Sequence, residues 1–135
     1  MNKKSFPPSL VFFVLTILAF QIIALSFSWY WRIWWFDMPM HFAGGLWIGL
    51  SVLWIVFLSE RFLHTLPQNT LNTFFIGILS VCAVAIAWEI FEYIVYILFP
   101  HGSPYDIFDT MSDIFLGLMG GVIASLSFSW KRYFS

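Results

Sequence analysis

Long apolar runs separated by short polar groups set out this chain. From Leu10 to about Phe27 nearly every residue is apolar, the exceptions being Thr16, Gln21 and Ser26. About 18 such residues suffice to cross a hydrocarbon core roughly 30 Å thick. A second run extends from about Met40 to Leu58 and ends at Ser59-Glu60-Arg61, and the polar connector His64 to Thr70 holds Pro67 and Asn69. The third, Leu71 to Phe99, is long enough to tilt or to project beyond the lipid, and Pro100-His101-Gly102-Ser103-Pro104 breaks it. The fourth, Asp106 to Trp130, ends at Lys131-Arg132. The pattern predicts four transmembrane helices, over about residues 10–28, 40–58, 71–99 and 106–130, in a single domain spanning 1–135. The expected fold is all-α, an integral membrane bundle.

Composition supports that class. The chain is 61% hydrophobic, 22% aromatic and only 10% charged, whereas soluble domains are about 45–50% apolar and about 25% charged. The net charge of −1 and the absence of a basic patch give no reason to expect a nucleic-acid partner. The single cysteine, Cys82, lies mid-span and is expected to be a packing residue. Lys3-Lys4 before an apolar run, with Ala24-Leu25-Ser26 as a small-residue cleavage site, also fits a secretory signal; the length of the run favours a retained anchor.

Orientation follows from the basic residues. With four spans, Lys3, Lys4, Arg61, Lys131 and Arg132 fall on one side and Arg32 on the other. The positive-inside rule then places both termini in the cytoplasm of a multi-pass inner (plasma) membrane protein. The aromatic segment Trp29-Tyr30-Trp31-Arg32-Ile33-Trp34-Trp35 becomes an outward interface belt of anchoring side chains.

The acidic residues change the picture most. Trp88-Glu89-Ile90-Phe91-Glu92-Tyr93 puts two carboxylates inside the third run, where each costs up to roughly 2.5–3.5 kcal/mol near a helix centre. They need partners. Asp37 and His41 lie four apart at the outward start of the second span, with Pro39 suited to a first helical turn and Asp37 near the cap. Asp106, Asp109 and Asp113 open the fourth span on one face, the first a candidate cap. Of the seven acidic residues only Glu60 lies on the other side. His64 is expected on the cytoplasmic side and His101 in an outward loop.

Small residues continue the same faces: Gly44, Gly45 and Gly49 below His41, Ala85 and Cys82 below Glu89, and Gly117, Gly120 and Gly121 below Asp113. Such small-xxx-small patterns let helix backbones approach closely, so spans two, three and four are expected to share a seam with the carboxylates at its top. Span one, without ionisable residues, is expected to brace the bundle from the lipid side.

Clustered carboxylates cannot all stay ionised without a compensating charge, and Arg32 is the one outward Lys or Arg. Three solutions remain open: a divalent cation held by oxygen ligands and the imidazole, shared protons serving general acid–base chemistry, or a hydrogen-bonded structural network.

These residues also carry a resemblance. Asp37-Met-Pro-Met-His41-Phe42 resembles the Asp-x-x-x-His-Phe signature of VanZ-like membrane proteins. With His41-Phe42-Ala43-Gly44-Gly45, Trp88-Glu89-xx-Glu92 and Asp109-Thr110-xx-Asp113, residues 36–121 are closer still to YjdF-type inner membrane proteins of undefined function. The resemblance implies bacterial membrane residence and carries no established reaction. The expectation for function is metal-assisted or acid–base chemistry on a lipid or lipid-linked substrate. In it Asp37, His41, Glu89 and Asp113 hold the ion, and Glu92 or Asp109 accepts a proton. A proton or cation transporter component and a non-catalytic accessory or assembly protein are the competing classes.

Overall fold

The computed structural model describes residues 5–59, 69–99 and 106–133, with side chains as far as Trp130. Glu60, Arg61, His64, Pro67, His101, Lys3 and Lys4, and the side chains of Lys131 and Arg132, lie outside that description, and with them most of the charge pattern used for orientation. The described residues form α1 (Pro8–Ser26), α2 (Trp29–Arg32), α3 (Asp37–Phe57), α4 (Thr70–Leu98) and α5 (Ile107–Tyr133), with no strand among them. Four of these helices are long and apolar enough to cross a membrane. The expected all-α membrane bundle is the observed one.

Helix ends follow the local chemistry. Pro8 opens α1, where a missing N–H costs nothing. Asn69 caps α4, its side-chain oxygen accepting from Asn72 N at 2.7 Å. Asp106 does the same before α5, its carboxylate accepting from Phe108 N at 2.9 Å. The second span begins at Asp37 rather than near Met40, so Asp37 lies inside the first turn and not at its cap. At 29 residues and about 1.5 Å per residue, α4 is roughly 43 Å long, more than a hydrocarbon core needs.

One sequence spacing organises the packing. Asp37, His41, Gly45, Gly49 and Leu53 form an i+4 row on α3; Thr73, Gly77, Val81, Ala85 and Glu89 form one on α4; Asp113, Gly117, Gly121 and Ser125 form one on α5. Residues four apart share a helix face, and these rows hold most of the buried positions of the three helices. The α3–α5 contact is the most extensive, followed by α4–α5 and α3–α4. Its closeness depends on glycine. A Cβ on Gly45 would collide with the Gly117 backbone, and one on Gly120 with the backbone of Phe42 and Leu46.

The small-residue faces differ from expectation in two places. Gly44 lies off the seam, since a Cβ there meets nothing within 4 Å. On α4 the residue pressed into the seam is Val81, not Cys82, because Val81 sits two i+4 steps from Glu89 and faces Gly49 and Gly121. Large apolar side chains such as Phe75, Leu79, Phe91, Leu98 and Phe115 point outward. Small residues inside and large ones outside suit a lipid solvent, in which helices associate by close backbone packing.

Span one touches chiefly α3. Trp47 Nε1 on α3 donates to the Leu10 carbonyl at 2.8 Å, tying α1 near its start. Its far end turns back through Ser28, which adopts φ 56° and ψ 38°, the left-handed region that a non-glycine residue enters at a cost on the order of 1 kcal/mol. The turn launches α2, whose rings pack on the buried Phe36: Trp29 edge-on at 5.2 Å and Tyr30 edge-on at 5.4 Å. Trp31, Trp34 and Trp35 are exposed as interface anchors should be, whereas Trp29 and Tyr30 serve the interior.

Candidate functional site

The first turn of α3, the later half of α4 and the first turns of α5 meet at one end of the bundle. On α3 the one-turn spacing brings His41 Nε2 to 3.3 Å from Asp37 Oδ1. The glycine contact between α3 and α5 then draws Asp113 in from the neighbouring helix, its Oδ2 3.7 Å from the same nitrogen. Donor atoms of Asp37, His41 and Asp113 all lie within 4.8 Å of one another. A second group, His41 with Glu89 and Glu92 of α4, meets the same limit. The imidazole is therefore shared by four carboxylates from three helices.

Burial and hydrogen bonds grade the four. Asp113 is 3% exposed and Glu89 7%, the two buried acids among the described residues. Glu89 is hydrogen-bonded to the Thr110 hydroxyl of α5. Glu92, half-buried, is hydrogen-bonded to the Trp88 indole one turn earlier. Ser112 Oγ lies 3.4 Å from Asp113 Oδ1 while it donates to the Asp109 carbonyl at 2.8 Å. Among the described residues His41 is the only basic side chain within 4.0 Å of these acids; Arg32 is exposed and makes no such pair.

The structure thus gathers Asp37, His41 and Asp113 in one donor group and His41, Glu89 and Glu92 in another. The expected set of Asp37, His41, Glu89 and Asp113 is divided between two groups that share the imidazole, and the structure leaves Asp109 exposed, outside both. It also adds residues that the spacing of acidic groups did not reveal. Thr110 and Ser112 flank the α5 carboxylates. Tyr30, from α2, hydrogen-bonds Gln21 of α1 and feels the charges of Asp37 and Glu92. Gln21 had a signal in the sequence, as the one carboxamide in the first span.

A divalent cation fits the donor set. Oxygen ligands with one imidazole suit zinc, manganese or a similar hard-to-borderline ion. Ligand atoms around tetrahedral zinc, with bonds of about 2.1 Å, stand roughly 3.4 Å apart. The His41–Asp37 and His41–Asp113 separations of 3.3 and 3.7 Å bracket that value.

The pattern of one protein family, described as a predicted membrane protein (DUF2238), matches residues 1–133. The chain belongs to that family. The match takes in all four spans and every residue of the cluster. No curated protein and no solved structure matches the chain.

Proposed function

We propose that this DUF2238 protein acts on a lipid or lipid-linked substrate through the cluster around His41, with the bacterial inner membrane as its setting. The carrying observation is the shared imidazole, with Asp37 and Asp113 at coordination-edge distance and Glu89 and Glu92 within the same 4.8 Å limit. Asp37, His41 and Asp113 would hold a divalent cation, with Glu89 as the further carboxylate ligand. When bound there, such an ion supplies Lewis-acid polarisation of a phosphoryl or acyl oxygen. Glu92, half-buried, would accept a proton, with the exposed Asp109 as the alternative acceptor. The basic residues of the sequence favour an extracytoplasmic cluster reached from the outer leaflet, and the resemblance to VanZ-like and YjdF-type proteins fits that setting.

A transport pathway receives less support. Beneath the cluster, Gly45 lies against Gly117 and Gly120 against Phe42 and Leu46, backbone on backbone, and no ionisable side chain is buried below that level among the described residues. The test is the metal content of purified protein beside Glu89→Gln and Asp113→Asn variants. About one divalent ion per chain in the parent and little in the variants is the expected result. A parent protein that binds none, even when dialysed against zinc or manganese, rules the metal out.

A further inference from the structure

The polar residues of α1 show that one of them does more than satisfy itself. Thr16 and Ser26 donate to their own helix, to Phe12 O at 2.9 Å and Ile22 O at 2.8 Å, the usual way a hydroxyl is accommodated in an apolar span. Gln21 reaches outside its helix instead, its Oε1 accepting the Tyr30 hydroxyl. A carboxamide in a span is costly unless paired. The chain pairs it by folding back through the left-handed Ser28, so the phenol of α2 returns alongside α1. The ring is then fixed edge-on against Phe36, and Phe36 immediately precedes Asp37. Tyr30 is held from both sides, at the edge of the cluster where Asp37 and Glu92 act on it.

Its chemistry complements the cluster. The four grouped carboxylates accept hydrogen bonds, whereas Tyr30 is a neutral donor. It sits on α2, outside the spans, among the exposed Trp31, Trp34 and Trp35, at the height of an interfacial belt. A donor at that height, beside carboxylates able to hold a cation, suits an oxyanion whose charge the cation offsets. At the membrane interface that chemistry is a phosphate group.

We propose that Tyr30, held by Gln21, is a ligand-contacting residue of this site: when the Gln21 carboxamide turns so that its NH2 donates to the phenol oxygen, the hydroxyl is freed to give its one proton to a phosphate oxygen of the molecule the cluster acts on. This rests on the cation-holding reading above. The phosphate belongs either to a lipid headgroup or to a free ion, and the experiment separates the two. Full-length protein in detergent is titrated with Mn²⁺ by electron paramagnetic resonance. The Mn²⁺-loaded protein is then titrated with inorganic phosphate and, in mixed micelles, with phosphatidic acid, following manganese-induced broadening of the phosphorus resonance. Tyr30→Phe should leave the Mn²⁺ affinity within about twofold and weaken phosphate binding roughly ten- to a hundredfold, the usual worth of one hydrogen bond to a charged acceptor. Gln21→Met should move phosphate binding in the same direction, guarding against a folding defect peculiar to one variant. Loss in the phosphatidic acid arm alone assigns the contact to a lipid headgroup; loss in both assigns it to phosphate as such. Absence of Mn²⁺ binding in the parent overturns the cation reading and this inference with it. Mn²⁺ binding without phosphate binding, or phosphate binding indifferent to both substitutions, overturns only the role of Tyr30.

Discussion

His41 Nε2 on α3 stands 3.7 Å from Asp113 Oδ2 on α5, across the most extensive helix contact of the bundle. Asp113 is among the most buried polar residues described, so its carboxylate depends on what faces it. His41→Gln and Asp113→Asn should each destabilise the protein by about 1–3 kcal/mol, since either leaves a buried group short of its partner. The double variant should cost less than the sum, with a coupling of about 1–2 kcal/mol. Unfolding in mixed detergent–SDS micelles measures all four corners of the cycle. Additive costs would show that the two side chains are neighbours without being partners.

Two adjacent glycines on α3 should behave in opposite ways. A Cβ on Gly45 collides with the backbone carbonyl of Gly117, and backbone cannot step aside as a side chain can. Gly45→Ala should therefore cost about 2–3 kcal/mol or abolish folding, and displace the cluster above it. A Cβ on Gly44 meets nothing within 4 Å, so Gly44→Ala should gain up to about 1 kcal/mol from helix propensity alone. The same SDS titration compares them, and equal effects would mean that α3 is rotated from its assigned face.

Ser51 offers a third contrast. Its Oγ is buried with no hydrogen-bond partner among the described residues, unlike Ser125, whose Oγ donates to Gly121 O at 2.9 Å. Replacing an unpaired buried hydroxyl removes a desolvation cost without breaking a bond. Ser51→Ala should be neutral or stabilising by about 1 kcal/mol, while Ser125→Ala should not stabilise. Thermal midpoints in detergent separate the two, and a destabilised Ser51→Ala would reveal a partner for the hydroxyl.

The helices and the gathering of acidic groups were legible for simple reasons. Apolar runs longer than a bilayer leave little choice of fold, and glycines four apart mark where helices approach. Because Asp37, His41, Glu89 and Asp113 lie on those same i+4 rows, the rows that bring the backbones together also bring Asp37 and Asp113 to His41 on one side and Glu89 to it in a second group. What the spacing hid was finer. Gly44 and Gly45 look alike in sequence, and only the rotation of α3 decides which one faces Gly117. Tyr30 looked like one more ring in an aromatic belt, because a chain reversal at a left-handed serine carries no sequence signature as glycine would. The partnership of Tyr30 with Gln21, nine residues earlier, depends wholly on that reversal.

That partnership has a consequence at high pH. Burial, and next the charge of Asp37, push the Tyr30 phenol from the usual 10 up to about 12, with Glu92 acting in the same direction. The folded protein thus holds this proton more tightly than the unfolded chain does. Stability from Tyr30 is fully present below pH 10 and is lost as pH rises from 10 to 12, because only the unfolded state ionises in that window. Ultraviolet difference titration should show a tyrosine step well after that of an unperturbed phenol, and Tyr30→Phe should delete that late step. Asp37→Asn should bring it earlier by removing the negative charge that acts on the phenol most strongly, and saturating Mn²⁺ should do the same if the cation binds beside Asp37. A late step that survives Tyr30→Phe would detach the phenol from the cluster and leave its ring as packing alone.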